Sequence, residues 1–332
     1  MSTHPPGPLV GLGVVDPLLE GRLVSGMERV ESLLRDSVRS DYPFVTEASR
    51  HLVDAGGKRF RPLLVLLAAQ FGDPDAPGVV PAGVVVELTH LATLYHDDVM
   101  DEADLRRGAA SANARWDNTV AILTGDFLFA KASDILADLG PEAVRIQART
   151  FERLCTGQIR ETIGPESGDA VEHHLRVLSD KTGSLIATSG RFGAMMSGAD
   201  ASIVETMTLF GEQIGVAFQL ADDIVDIASD FDESGKIPGT DLREGVPTLT
   251  GLIALATDDD PRLQDLLTRP LDDDADHTEA LKRLREHPAL DAARLEAKAW
   301  ADRARDTLSD LPDGSPREAL TALCDYVVTR SG

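Results

Sequence analysis

The feature that most constrains this chain is an acidic pattern, Asp-Asp-x-x-Asp, that appears twice within apolar sequence. Its members are Asp97, Asp98 and Asp101 in the first copy and Asp222, Asp223 and Asp226 in the second. On a helix, residues four apart lie on one face, so each copy presents two carboxylates side by side. Because clustered carboxylates repel one another, the pattern predicts a bound cation, and hard oxygen ligands favour magnesium. A solvated helix face is the alternative, and the apolar neighbours of both copies disfavour it.

Basic side chains near the first copy are expected to supply part of the neutralising charge. His90 lies two helical turns before Asp97, and Arg106 and Arg107 follow in a predicted loop. An earlier loop, GGKRFRP at residues 56–62, carries further cations and ends at a proline that suits a helix start. Taken singly, residues 56–62 are also compatible with a surface loop and His90 with a core histidine. Arg106 and Arg107 are likewise compatible with a helix cap.

Composition narrows the possible partners. The chain has 32 Lys and Arg against 56 Asp and Glu, a net charge of −24, which argues against binding nucleic acid or anionic membranes. Any site for a phosphorylated substrate must therefore be made locally positive. No apolar run reaches the length of a membrane span, and the first Lys or Arg is Arg22, which does not fit a secretory signal. Cys155 and Cys324 are expected to be buried thiols, so we expect a cytoplasmic protein.

The hydrophobic periodicity predicts an all-α chain. Residues 1–16, rich in Pro and Gly, are expected to be disordered, and residues 17–332 to form a single all-α domain. The predicted helices begin near Pro17 and include residues 83–104, 114–139, 142–161, 171–198 with an interruption near Thr182, and 202–228. No run of alternating residues indicates strands. The two acidic copies are expected to face each other across a cavity.

With these motifs in this order, the chain resembles the trans-isoprenyl diphosphate synthases, also called polyprenyl synthetases, from about residue 54 to residue 250. The resemblance implies a helical bundle around a central cavity and a homodimer. It also implies magnesium, three ions with diphosphate bound, and a reaction that joins isopentenyl diphosphate to an allylic prenyl diphosphate. The allylic substrate ionises, the double bond of isopentenyl diphosphate attacks the cation, and a proton is lost.

The resemblance also assigns roles to individual residues. All six aspartates are implied metal ligands, and Asp97, Asp98, Asp101 and Asp222, together with Lys181, are implied to serve catalysis directly. Substrate binding is implied for nine residues: Lys58, Arg61, His90, Arg106, Arg107, Lys181, Thr182, Gln219 and Lys236. The chain departs from the family at Val246, where many members carry a lysine in the loop that closes over the phosphates.

Small residues before the first acidic copy bear on product length. Short-chain members of the family tend to place a large aromatic residue at the position of Ala92 or Thr93, and both are small here. The prenyl tail is therefore expected to pass this point and stop at a deeper floor, supplied by Phe127, Leu128 or Phe129 on the next helix. The expected product is geranylgeranyl diphosphate or longer. Tyr95 is expected to point away from Asp97 and to pack outward.

Three alternative functions fit the sequence less well. A class I terpene cyclase also ionises a prenyl diphosphate, but it would leave the cations of a second diphosphate site unexplained. A non-catalytic subunit of a heteromeric prenyl synthase tends to lose motif aspartates, and all six are present here. A nucleic-acid-binding or scaffold protein is opposed by the charge.

Overall fold

The computed structural model describes residues 16–165, 168–228 and 238–330. Within these residues the chain is predominantly helical. The helices are α1 (Pro17–Ser37), α2 (Pro43–Asp54), α3 (Phe60–Ala68), α4 (Val79–Met100), α5 (Ala112–Arg115), α6 (Asn118–Leu139), α7 (Pro141–Ile163), α8 (Ala170–Leu178), α9 (Ser184–Met196), α10 (Ala201–Ala228), α11 (Thr240–Glu244), α12 (Leu249–Thr257), α13 (Pro261–Leu267), α14 (Asp274–Glu286), α15 (Pro288–Thr307) and α16 (Ser315–Arg330). A π-helical turn at Ser179–Gly183 joins α8 to α9.

Backbone contacts divide the chain into two compact units. The first unit contains Met1–Phe151, Leu185–Gly211 and Asp310–Leu320, and the second contains Glu152–Ser184, Glu212–Ser309 and Thr321–Gly332. The single domain expected over residues 17–332 stays a prediction. The segment expected to be disordered lies outside the described residues except for Asp16, whose carboxylate caps α1 by accepting from the Leu18 amide at 2.9 Å.

The first unit is built on two apolar helices. Every residue of α3 from Pro62 to Ala68 is buried, and α4 is buried continuously from Ala82 to Thr89. Such unbroken burial is typical of a central helix, because a surface helix shows only one apolar face. Gly193 of α9 lies so close to α3 that a Cβ there would come 2.1 Å from the Val65 carbonyl. The acidic end of α4 therefore emerges from a closely packed core.

The second unit has a core of its own. The latter part of α10 contributes Val216, Leu220, Ile224 and Ile227, which pack with buried residues of α12 to α15. The aspartates of the second acidic copy alternate with these apolar side chains along the helix. The sequence therefore places its carboxylates on a helix that the core holds firmly.

Several sequence expectations need correction. Two short antiparallel strands, β1 (Leu105–Arg106) and β2 (Ala109–Ala110), occur where a loop without strands was expected. Cys155 is exposed, whereas Cys324 is buried as expected. The helix expected at 83–104 begins earlier and ends at Met100, so Asp101 is its C-cap residue. Among the described residues no helix is both long and apolar enough to span a bilayer.

Candidate active site

In the first unit, the loop of residues 56–62 wraps around the side chain of Arg107. Gly57 has a φ of +142°, and a Cβ there would lie 2.8 Å from the Arg107 guanidinium carbon. Arg107 donates to the main-chain carbonyls of Leu52, at 3.1 Å, and Gly56. Only glycine combines this backbone conformation with so close an approach. Two cationic segments that are distant in sequence are thereby fixed together.

Arg59 holds this loop in place, and the sequence reasoning did not single it out. Its buried guanidinium bonds to Glu31 of α1, and to Glu87 of α4 at 2.7 Å. Burial acts to lower the pKa of Arg59, but the carboxylates of Glu87 and Glu31 outweigh it and the pKa is raised. Glu87 is 1% exposed and is the one acidic residue within the apolar run of α4 before Asp97. A lone acid in such a run is the signal that would have indicated a structural ion pair.

Arg61 and His90 lie in the same electrostatic environment. Burial lowers the pKa of Arg61 to about 10, with Glu87 raising it and Arg107 lowering it. Burial, and then the charges of Arg61 and Arg107, hold the pKa of His90 well below its usual 6.5. The Nε of Arg61 is buried and makes no hydrogen bond within the described part of the chain. A charged donor and a neutral imidazole beside further guanidinium groups form a surface suited to an anion.

The first acidic copy is anchored by an ion pair. Asp98 is fully buried, and its Oδ1 accepts from the Nε of Arg106 at 2.5 Å. The same guanidinium lies 3.7 Å from Oδ2 of Asp101, whose side chain is half exposed. Burial raises the pKa of Asp98, and Arg106 opposes that effect without cancelling it. The strands β1 and β2 place Arg106 back over the end of α4, which the expectation of a simple loop did not foresee.

The donor chemistry of this copy fits a hard divalent cation. Oδ2 of Asp98 is buried and has no close hydrogen-bond partner among the described residues, although the Ala112 amide also acts on this carboxylate to lower its pKa. A carboxylate oxygen with no close partner keeps a lone pair available. Asp97 is half-buried and Asp101 exposed, so the three carboxylates differ in access to solvent. No three His, Cys, Asp or Glu side chains in the described ranges are already gathered into a metal-binding group.

In the second unit, Asp223 is nearly buried and bonds to a side-chain amide. It is 7% exposed, and its Oδ1 accepts from the Gln219 amide at 3.0 Å. The Nε2 of His174, from α8, lies 3.8 Å from the other carboxylate oxygen. The hydroxyl of Thr182 donates to Oε1 of Gln219 at 3.4 Å. A polar chain therefore links Thr182 through Gln219 to the acidic copy, and His174 is a neighbour that the sequence reasoning missed.

The remaining residues of this unit are placed less completely. Asp222 and Asp226 are half-buried, and the Oδ2 of Asp226 accepts from the Asp241 amide at 3.3 Å. Lys236 lies outside the described residues. Val246 is 37% exposed and donates its main-chain amide to the Asp241 carbonyl at 2.8 Å, so the position where many family members carry a lysine is exposed.

Lys181 and Thr182 are carried by the π-helical turn at Ser179–Gly183. The Nζ of Lys181 bonds to Oε2 of Glu161 on α7 at 2.5 Å. The sequence predicted an interruption of the helix here, and the structure shows that the interruption is a π-helical turn. Turns of this kind insert one extra residue into a helix and occur frequently at functional sites.

The comparisons with known proteins identify the family. A family model described as polyprenyl synthetase matches residues 42–284. The chain belongs to the polyprenyl synthetase family. A nonaprenyl diphosphate synthase from Mycobacterium tuberculosis is 52% identical to this polyprenyl synthetase, covering 98% of both chains. A dimethylallyltranstransferase from the same organism is 44% identical, covering 97% of this chain and 98% of the relative.

A solved structure gives the same result. The geranylgeranyl pyrophosphate synthase of Corynebacterium glutamicum, complexed with calcium and isoprenyl diphosphate, superposes with a TM-score of 0.86. It is 46% identical, with 96% of this chain and 99% of that chain covered. This polyprenyl synthetase is therefore an all-α prenyltransferase that elongates prenyl diphosphates, as the motifs indicated.

Each unit of this polyprenyl synthetase gathers part of the predicted site. The first brings Arg61, His90 and Arg107 into one electrostatic environment and pairs Arg106 with Asp98. The second connects Thr182, Gln219 and Asp223. Lys58 is exposed on its loop. The expectation that the two acidic copies face each other stays a prediction.

Proposed function

We propose that this polyprenyl synthetase condenses isopentenyl diphosphate with an allylic prenyl diphosphate and releases a product of geranylgeranyl length or longer. The observation that carries the proposal is the cationic surface formed by Arg61, Arg107 and neutral His90. It offers an anion site in addition to the two acidic copies. A terpene cyclase binds one diphosphate and would have no use for it, and the relatives named above support the synthase.

The first unit would bind the diphosphate of isopentenyl diphosphate. Arg61 has an unsatisfied buried donor, and a phosphate oxygen would complete its hydrogen bonding. Lys58, exposed on the same loop, would add a flexible charge. Because His90 is held neutral, it can donate one hydrogen bond without adding a charge to the cluster. Arg59 and Glu87 would keep this surface rigid and would not themselves contact substrate.

The allylic diphosphate would be held by Arg106, Lys181, Thr182, Gln219 and Lys236, with the six aspartates as metal ligands. When bound, magnesium would stabilise the negative charge of the departing diphosphate as a Lewis acid. Hard carboxylate oxygens such as Oδ2 of Asp98 fit that ion, and the Corynebacterium relative described with calcium supports the use of a divalent metal. The identity of the ion as magnesium, and the number of three, belong to the proposal.

Product length forms a further part of the proposal. Ala92 is fully buried, and its carbonyl lies 3.1 Å from the position that a Cβ on Gly125 of α6 would take. Tyr95, expected to pack outward, is instead fully buried, because its hydroxyl donates to the Ala48 carbonyl of α2 at 2.5 Å within the first unit. Thr89 accepts a hydrogen bond from the amide of Gln147 at 2.7 Å. The small residues at 92 and 93 support a long tail, and one named relative makes a nonaprenyl product.

The decisive experiment incubates the purified full chain with magnesium, isopentenyl diphosphate and dimethylallyl, geranyl and farnesyl diphosphates as primers. We expect elongation to at least twenty carbons and, in Asp97→Ala and Asp222→Ala, a loss of turnover of roughly a thousandfold. Near-normal turnover in either variant would overturn the assignment. Ala92→Phe should shorten the product, whereas Ala130→Phe at an exposed position of α6 should leave it unchanged. A wild-type product of fifteen carbons would contradict the proposed length.

The proposal includes a homodimer in the cytoplasm. In the first unit, α6 and α7 expose Ile122, Leu123, Val144 and Phe151, at 38–61% of their accessible surface. Exposed apolar groups of this size favour burial against a second copy. Both cysteines are free thiols, which supports a reducing compartment. Light scattering at micromolar protein should report twice the chain mass, and Leu123→Glu should shift it toward the monomer. A monomeric wild type would refute the dimer.

A further inference from the structure

The π-helical turn that carries Lys181 and Thr182 is held by a network of charged side chains from α7 and α10. Arg153, on α7, donates through Nε to Asp180 at 2.9 Å. Its Nη2 donates to the Ser179 hydroxyl at 3.0 Å and to Glu212 of α10 at 2.7 Å. A single guanidinium thus bonds two consecutive residues of the turn and a second helix.

The other members of the network complete the connection. The hydroxyl of Ser179 donates to the same Glu212 oxygen at 2.6 Å. Arg160, two turns after Arg153 on α7, bonds the second oxygen of Asp180. Asp180 therefore has an arginine on each of its oxygens. Its side chain is 16% exposed, so this ion pair is better shielded than an ordinary surface pair.

Backbone packing fixes the turn at the same place. A Cβ on Gly157 would lie 2.9 Å from the Lys181 nitrogen and 3.0 Å from Cβ of Asp180. Gly157 is one turn beyond Arg153, so α7 contacts the turn with its bare backbone. The turn also lies close to α10, because a Cβ on Gly183 would lie 3.2 Å from the Glu212 carbonyl oxygen. The turn is therefore confined between α7 and α10.

The turn needs this support because its geometry is unfavourable. A π-helical turn is uncommon and is found mostly as a single turn within an α-helix, so an unsupported segment would relax to regular helix. One residue turns an α-helix by about 100°, so relaxation would redirect Lys181 and Thr182 by a comparable angle. Their side-chain partners, Glu161 and Gln219, would then be lost.

We infer that Arg153 is a positioning residue that, through Asp180, Ser179 and Glu212, holds the π-helical turn in the form that presents Lys181 and Thr182 to the allylic diphosphate. The inference rests on the proposed role of Lys181 and Thr182. Arg153 contacts neither substrate nor the reacting atoms in this scheme. Its effect on the reaction passes entirely through the turn.

Two substitutions perturb the turn by different physical means. Arg153→Gln removes the charge that bonds Asp180 and Glu212, and Gly157→Ala inserts a methyl group against the Lys181 backbone. Each should raise the KM for the allylic diphosphate about tenfold, as expected for a displaced charged hydrogen bond, while the KM for isopentenyl diphosphate changes less than twofold. Arg145→Gln is the matched control, because Arg145 is an exposed residue of the same helix that pairs with Glu142. It should change neither KM.

A double mutant tests whether Arg153 acts through Lys181. The allylic KM of Arg153→Gln combined with Lys181→Ala should equal that of Lys181→Ala alone, because the turn then has no lysine left to position. Circular dichroism and thermal unfolding accompany each kinetic measurement. Arg153→Gln and Gly157→Ala must unfold cooperatively with unchanged helix content for the effect to be one of positioning.

The outcomes separate the inference from the proposed function. If Lys181→Ala raises the allylic KM but Arg153→Gln does not, the inference is overturned and the proposed function stands. If Lys181→Ala itself has no effect on the allylic substrate, the proposed role of Lys181 fails. Equal changes in both KM values, or additive effects in the double mutant, would show a general structural role for Arg153 and would also overturn the inference.

Discussion

The two acidic copies have the same sequence pattern, but their buried aspartates are stabilised in different ways. Asp98 is bound by the guanidinium of Arg106 on one oxygen, and its other oxygen has no hydrogen-bond partner in the described structure. Asp223 has the Gln219 amide at one oxygen and the His174 imidazole near the other. Identical motifs can thus offer one buried carboxylate that is paired with a guanidinium and another that accepts a hydrogen bond from an amide, with an imidazole nitrogen 3.8 Å from its second oxygen.

The two carboxylates differ in how readily they can still bind a cation. An oxygen without a partner can bind a cation directly, whereas an oxygen that already accepts a hydrogen bond has less to offer. We therefore expect Asp98 to contribute more strongly as a metal ligand than Asp223, which also orients Gln219 and, through it, Thr182.

Asp98→Asn should lower turnover by roughly a thousandfold, since an amide replaces a carboxylate at a metal-binding position. Asp223→Asn should lower it only about tenfold, because an asparagine can still accept from Gln219. Steady-state turnover at saturating magnesium measures both. As a readout independent of activity, manganese binding followed by electron paramagnetic resonance should weaken more in Asp98→Asn. Equal losses in the two variants would remove the distinction.

The Asp98–Arg106 pair should also matter for stability. Arg106→Gln leaves a buried carboxylate without its cation, so the free energy of unfolding should fall by about 3 kcal/mol. Adding Asp98→Asn should restore most of that loss, because the unpaired charge is then gone. Arg115→Gln, at an exposed pair with Glu47, should cost less than about 1 kcal/mol. Urea unfolding of wild type, Arg106→Gln, Asp98→Asn, the double variant and Arg115→Gln measures these losses, and strictly additive losses would contradict a coupled pair.

The cations of the two units should separate by substrate. Arg61→Ala should raise the KM for isopentenyl diphosphate roughly ten- to a hundredfold, through loss of a charged hydrogen bond, with a much smaller change for the allylic primer. Lys181→Ala should show the opposite preference. Initial rates with one substrate varied and the other saturating measure both constants. If Arg61→Ala affects the two substrates equally, its assignment is wrong.

The smallest predicted effect is a pH dependence from His90. Its folded-state pKa lies well below 6.5, whereas in the unfolded chain it takes up a proton near pH 6.5. The unfolded state then binds more protons, so stability is lost as pH falls below about 6.5. His90→Gln removes this contribution. The drop in the free energy of unfolding between pH 7 and pH 5.5 should therefore be about 1 kcal/mol smaller in the variant than in wild type. Parallel pH profiles of wild type and variant would contradict the predicted depression.

The sequence allowed most of the helices to be predicted, because long apolar periodicities with Gly and Pro boundaries determine helix positions strongly. The interruption near Thr182 was also predicted, since Gly183 breaks the pattern there. What escaped prediction depends on contacts between distant segments. Arg59 appeared to be one of several loop cations, but its partners Glu31 and Glu87 are each 28 residues away. The strands at Leu105 and Ala109 are two residues long, too short to show an alternating pattern.

In the candidate site too, local motifs could be predicted from the sequence, whereas contacts from distant segments could not. The motif aspartates and the Lys-Thr pair could be located from local spacing, but their surroundings could not. His174 reaches Asp223 from α8, and Arg153 reaches Asp180 from α7, and neither lies in a recognisable motif. Burial of Tyr95 and exposure of Cys155 likewise depend on neighbouring helices, which residue type alone does not reveal.

The π-helical turn has a consequence for how this chain can change during evolution. A turn with one surplus residue is the place in a helix where loss of a single codon yields a better helix. Such a deletion between Ser179 and Gly183 would leave the length of the segment almost intact and would improve its local hydrogen bonding. It would also rotate the lysine-threonine pair away from its partners. A mutation that favours local helical order is therefore opposed there by selection for the reaction, and the irregularity should persist among active descendants of this chain.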